Sequence, residues 1–143
     1  MIRELGPGET GLAYQAMLEL RPQIGSEPDF VRRVDELQRP EGYRLVASFA
    51  DGVAEAAAAA GFRAGHFLAW GHIVYVDDLS SRADFRRQGH AGALMEWLIA
   101  EARRLGCDEL HLDSGVGPDR TDAHRLYLNQ GMRISAHHFG ITL

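Results

Sequence analysis

The chain contains no lysine: all 15 of its basic residues are arginine. That absence excludes the glycine-rich loop of nucleotide hydrolases, which needs a Gly-Lys-Ser/Thr ending to reach phosphate and magnesium. The single cysteine, Cys107, leaves no internal disulfide. It lies between Gly106 and Asp108, where a helix should stop and a strand begin, and it reads as a structural thiol. No apolar run approaches the roughly 20 residues of a membrane span. Met1-Ile2-Arg3-Glu4-Leu5 lacks the apolar core and cleavage site of a signal peptide, so the expected location is cytoplasmic. The seven histidines are scattered. Even the adjacent His137 and His138 would alternate faces on a strand, and none shows metal-ligand spacing, so no metal is expected.

What is present fits a single folded domain over residues 1–143, with 45% apolar residues and enough length to bury a core. The formal charge of −5 argues against nonspecific nucleic-acid binding. The charge is uneven. Residues 1–81 hold seven arginines against twelve carboxylates, whereas residues 82–143 hold eight of each. An acidic first half beside an arginine-bearing turn suits an anionic cofactor on one side and a cationic partner on the other.

Hydrophobic spacing and breakers give the element order β-α-α-β-β-β-α-β-α-β-β. Ile2–Leu5 is an edge strand. Helices run from Gly8–Thr10 to Leu20, and from a Ser26 cap to Leu37. Tyr43–Phe49 is a strand, and Asp51-Gly52 signals a hairpin. The run Val53–Ala60 is in conflict. Its alanines favour helix, whereas the hairpin signal and Gly61-Phe62 favour a returning strand; strand is the reading adopted, with its small side chains leaving room for a ligand on its face. His66–Gly71 is a loop or short strand, His72–Leu79 a strand and Gly89–Leu105 the longest helix. Glu109–Asp113 is the next strand. A last helix, capped by Asp119 or Thr121, ends at Gly131. Met132–Ser135 and His138–Thr142 are two closing strands. The fold class is therefore mixed α/β (α+β): a central twisted mixed sheet of about seven strands, with helices on both faces and a right-handed βαβ unit over residues 73–113.

Arg86-Arg87-Gln88-Gly89-His90-Ala91-Gly92 carries the clearest chemistry. It joins an apolar strand, Ile73–Val76, to the long helix. The first N–H groups of a helix lack partners, the helix dipole places positive charge there, and glycine lets an anion approach. Such a turn can hold a phosphate group. Read alone, it is equally a plain strand-to-helix connection with surface arginines.

The turn fits the (Gln/Arg)-x-x-Gly-x-(Gly/Ala) signature, and the chain here resembles the GCN5-related N-acetyltransferases. Asp77-Asp78-Leu79-Ser80-Ser81 stands where that family's central strand enters the signature loop. Ala123-His124-Arg125-Leu126-Tyr127, followed by Gly131-Met132, is similar to its late Ala-x-x-Leu-Tyr-x-x-x-Gly-Phe motif. The family's usual proline before the loop is missing, Arg120 stands where Asn is frequent, and Met132 replaces Phe. The resemblance implies acetyl-CoA as co-substrate, with the pyrophosphate against Arg86, Arg87, Gln88, Gly89, His90, Ala91 and Gly92. It implies pantetheine contacts from the backbone of Leu79 and Ser81, and Tyr127 as the acid that protonates the departing thiolate. The acceptor is an unidentified amine, with Asp77, Asp78 or Glu55 as candidate substrate-side carboxylates. Asp77 and Asp78 cannot share a face of a regular strand unless a bulge intervenes. His111 is a further residue that could face a cleft. An edge-strand homodimer is compatible with the pattern. The rival readings are a non-catalytic acyl-CoA-binding sensor module on the same fold and a phosphate- or nucleotide-binding interaction domain.

Overall fold

The computed structural model describes residues 1–143. They form two compact units, Met1–His111 and Leu112–Leu143. Five strands make one sheet in the order β1-β2-β3-β4-β5: Ile2–Leu5, Arg44–Ser48, Ala58–Phe67, Gly71–Ser81 and Glu109–Leu112. The first four pair antiparallel with their sequence neighbours. α1 (Tyr14–Leu20) follows a 3-10 turn, and α2 (Glu27–Arg32) starts at Ser26, whose hydroxyl accepts the Asp29 N–H. α2 continues as a π-wound stretch, Arg33–Gln38, and a 3-10 turn that Gly42 ends at a φ of 91°. α3 is His90–Arg104 and α4 is Thr121–Asn129.

Strand alternation sorts the core onto two faces. Leu5, Leu45, Ala47 and Ala59 pack with Met17, Phe30 and Val34 of the N-terminal helices. On the other face the Phe62 ring meets Trp97 of α3 at 5.8 Å, and Ser48 bonds His90 at 2.8 Å. Small residues let these helices approach the sheet. Ala56, Ala57, Ala58, Ala59 and Ala60 have no exposed surface, so the space expected on the face of this strand is filled by protein.

The class and the N-terminal element order match the expectation; four details differ. Residues 51–57 are turn and loop, and β3 starts only at Ala58. His66–Gly71, expected as a loop or a short strand, is divided: His66 and Phe67 end β3, residues 68–70 are the tight turn of the β3–β4 hairpin, and Gly71 opens β4. Neither Asp119 nor Thr121 caps α4: its capping position is Arg120, without a side-chain bond, and the Thr121 hydroxyl donates to Pro118 O. The segments Met132–Ser135 and His138–Thr142 are not strands, and five strands form instead of about seven. Their alternating apolar residues describe strand capacity, but a strand also needs a neighbour to receive its N–H and C=O groups.

Candidate functional site

The pairing of β3 with β4 slips by one residue. Gly61 opposes Asp78 and Phe62 opposes Val76, so Asp77 is an extra residue, a β-bulge. The bulge removes the strict alternation of faces that would separate Asp77 from Asp78; of the two, Asp78 lines the neighbouring cleft. Asp77 takes both Arg63 Nε and Nη2, the shorter at 2.7 Å. Asp78 accepts Arg21 Nε on one oxygen and the Tyr43 hydroxyl on the other, each at 3.0 Å. Arg21 also donates to the carbonyl of Asp77. A methyl group on Gly61 would overlap the Tyr43 ring, so glycine is what lets Tyr43 lie across β3 and reach Asp78. Burial raises the Tyr43 pKa well above its ordinary value, and Asp78 and Asp77 add to the rise. Burial also raises the Asp77 carboxyl, with Arg63 pulling the other way.

Beside this network lies a cleft of about 170 Å³, lined among others by Met17, Arg21, Phe30, Arg33, Tyr43 and Asp78. Glu55 is not brought to it: its carboxylate lies 3.7 Å from Arg82, just beyond β4. His111 is likewise occupied elsewhere, stacked on Trp70 at 4.2 Å and bonded to Glu109. Sequence reading missed Arg21, Arg33, Tyr43, Gly61 and Arg63. In the sequence Arg21 simply follows the first helix at Leu20, Tyr43 opens the strand Tyr43–Phe49, and Gly61 serves only as a strand marker.

The far end of β4 leads to the basic turn. Arg82 N donates to Ala57 O, the bond expected when Ser81 and Ala58 form a non-hydrogen-bonded pair. Leu79, paired with Ala60 two residues back, shares that phase. The N–H and C=O groups of Leu79 and Ser81 therefore point away from β3. On that edge β5 supplies only four residues against the eleven of β4, and Asp108 N is tied to His72 O at the start of β4. Glu19 of α1 anchors the turn, accepting Ala83 N at 2.8 Å and Arg86 Nη2 at 3.0 Å. The charge of Arg86 is thus shared with a carboxylate. Gln88 donates to Asp84 O. Arg87, at a φ of 62°, and Gly89, at 87°, both take left-handed backbone conformations. Arg87 is the one non-glycine residue of the chain to do so, which marks a tightly constrained turn. The bond from Ala93 N to Gly89 O opens α3. The N–H groups of His90, Ala91 and Gly92 therefore have no acceptor within the helix.

In the second unit, Tyr127 lies on α4 and is 8% exposed. Burial raises its pKa, and the charge of Arg120 and a hydrogen bond from it oppose the rise. The phenol is thus held protonated at neutral pH with a cation beside it. Arg120, the departure from the family's Asn, acts on the catalytic candidate itself. His124 bonds Ser114 and Gly115 O, fixing the loop before α4. Cys107 is partly exposed, and its pKa is raised by burial and by Asp108 and Glu101, opposite to what a nucleophilic thiol needs.

The model of the acetyltransferase (GNAT) family matches residues 13–132. A Bacillus subtilis (strain 168) protein described as an uncharacterized N-acetyltransferase, YhdJ, is 28% identical over 128 residues, 89% of this chain and 87% of that protein. A Trypanosoma brucei acetyltransferase structure superposes with a TM-score of 0.81 at 16% identity, covering 100% of this chain and 99% of its own. The aminoglycoside N-acetyltransferase AAC(6')-Iy, solved in complex with CoA, also gives 0.81, at 17% identity over 100% of this chain and 93% of its own. At these identities the two structures speak for the fold.

Proposed function

The chain belongs to the acetyltransferase (GNAT) family, and from that premise we propose that residues 1–143 act as a single N-acetyltransferase domain moving the acetyl group of acetyl-CoA directly to a primary amine. The observation that carries this reading is the turn at Arg86–Gly92: two left-handed residues, then three helix N–H groups with no bond inside the helix. Backbone donors of that kind, with Arg87 and part of the charge of Arg86, suit the pyrophosphate of coenzyme A. The Leu79 and Ser81 backbone groups directed away from β3 suit the pantetheine amides, which bond like an added strand.

In the chemical step the amine nitrogen attacks the thioester carbonyl carbon. The C–N bond forms, the C–S bond breaks, and the sulfur leaves as a thiolate. Tyr127 supplies the proton that the thiolate takes. The proton lost by the amine goes to the Asp77–Asp78 bulge. Both carboxylates are bonded on both oxygens, Asp77 by Arg63 and Asp78 by Arg21 and Tyr43; burial raises the Asp77 carboxyl, which makes it the better acceptor of the two. Glu55, paired with Arg82, is left a minor electrostatic role.

The same proposal includes a homodimer. Residues 132–143 are strand-patterned but form no strand, with Ile134, Phe139 and Ile141 more than 80% exposed. A second copy offers an identical segment, and strand pairing across copies would cover these side chains.

Thiol release from acetyl-CoA, measured over a panel of amines, tests the catalytic reading. Tight binding of acetyl-CoA without turnover of any amine would instead support an acyl-CoA sensor.

A further inference from the structure

The acidic first half of the chain suggests a cationic acceptor. The cleft beside the bulge points the other way. Its carboxylate, Asp78, has one oxygen on Arg21 and the other on the Tyr43 hydroxyl. The neighbouring Asp77 is held by Arg63. The acids on this wall are therefore already neutralised from within the protein. Of the charged residues lining the cleft, Arg21 and Arg33 outnumber Asp78, so its balance is +1 against −5 for the whole chain.

The surplus charge is Arg33, which is exposed. It acts on Asp29 through space, but Asp29 bonds Ser26 and Arg32, at 2.9 and 3.3 Å. The backbone presents Arg33 deliberately. The stretch Arg33–Gln38 is π-wound. With i→i+5 bonding, Gln38 falls one turn from Arg33 on the same side, whereas α-winding would separate them by about 140°. Both residues line the cleft, and π-turns of this kind recur at functional sites. The cleft lining thus includes a guanidinium and an amide from one π-turn, together with the buried apolar side chains of Met17 and Phe30. A volume of about 170 Å³ is of the size of a small molecule.

We infer that the acceptor is a small amine bearing an anionic group, a carboxylate or a phosphate, and that Arg33 with Gln38 binds that group and sets acceptor specificity. The inference rests on the acetyl-transfer reading, because it assigns the cleft to the acceptor. Arg33 suits either anion through a two-pronged contact.

The test compares four amines of similar size: an amino acid, an aminoalkyl phosphate, a diamine and an uncharged amino alcohol. Binding is read by calorimetry in the presence of coenzyme A, and turnover by thiol release from acetyl-CoA. The wild-type protein should bind and acetylate one of the two anionic amines at least ten-fold better than the diamine, and which one identifies the anion. Arg33→Ala should raise the KM for that amine ten-fold or more, with kcat and the KM for acetyl-CoA little changed. Arg33→Lys should recover part of the loss, and Arg33→Glu should shift preference towards the diamine. Arg33 is exposed, so equal melting temperatures of the variants control for folding. Best turnover with the diamine, unmoved by Arg33→Glu, would overturn the anionic acceptor and leave the acetyltransferase reading intact. Selective binding of an anionic amine without thiol release would overturn the catalytic reading and leave the cleft assignment standing. No binding of either anionic amine would overturn the assignment.

Discussion

Single residues divide into those whose signal is local and those whose meaning depends on distant partners. Tyr127 and the Arg86–Gly92 turn belong to the first kind, since their neighbours in sequence are enough to suggest a role. Tyr43 and Arg21 belong to the second: they reach Asp78 from 35 and 57 residues away. No local pattern encodes that meeting. Gly61 shows the dependence most clearly. Gly61→Ala should force the Tyr43 ring aside, break its bond to Asp78 and cost about 1–3 kcal/mol in urea unfolding. Unchanged stability would mean that Tyr43 does not need that space. Tyr127→Phe keeps the ring and removes the proton. It should lower kcat by about 10²-fold or more at an unchanged KM for acetyl-CoA; full turnover would remove the tyrosine from the mechanism. Burial raises the Asp77 carboxyl, so as the proton acceptor it should be lost as pH falls through a value above that of an ordinary aspartate. The acid limb of the kcat/KM profile should therefore change in Asp77→Asn, and an identical limb in the variant would assign the proton elsewhere.

Elements were legible wherever a start or stop signal and a buried face agreed. Ser26 caps α2, and Arg103, Arg104 and Gly106 close α3 as their positions suggest. The alanine run was harder, because alanine packs under a helix and inside a strand alike; the structure divides it between a loop, exposed at Ala54 and buried at Ala56 and Ala57, and β3. The bulge was foreseen only as a condition, since one extra residue in a ladder leaves no mark in composition. α3 is fastened to the sheet through Glu101. Its carboxylate takes Arg104 in a two-pronged bond and Arg44 of β2 at 2.7 Å, and Arg44 in turn holds Glu4 of β1. Arg104 first and then Arg44 hold the Glu101 pKa down, from an ordinary 4.5 to about 2. A depressed folded-state pKa adds stability that is present above the unfolded-state value and lost as pH falls through the folded one. Thermal melts should therefore show wild-type stability falling between about pH 4.5 and 2. Glu101→Gln should be less stable at pH 7 and lose less across that window. A constant gap between the two proteins at every pH would contradict the linkage.

At the scale of the whole molecule, the sequence carried the family and the order of elements but misjudged the end of the chain. Residues 132–143 have the alternation of strands without a strand's partner, and the alternation alone could not say whether a partner exists in the same chain. If a second copy is that partner, light scattering should report a dimer, and Phe139→Asp with Ile141→Asp should give a monomer that still melts cooperatively. A wild-type monomer would leave the tail without that role. Charge behaves similarly. The acidic balance of residues 1–81 conceals a cleft whose acid is internally paired, so the count over that half pointed to a cationic partner where the local one points to an anionic group. The central claim remains the transfer itself, and it is tested most directly by mass spectrometry of amines incubated with the protein and acetyl-CoA. The account predicts an acetylated amine formed in step with one free thiol per transfer. Acetyl-CoA bound but left intact, with no amine modified across the panel, would contradict it.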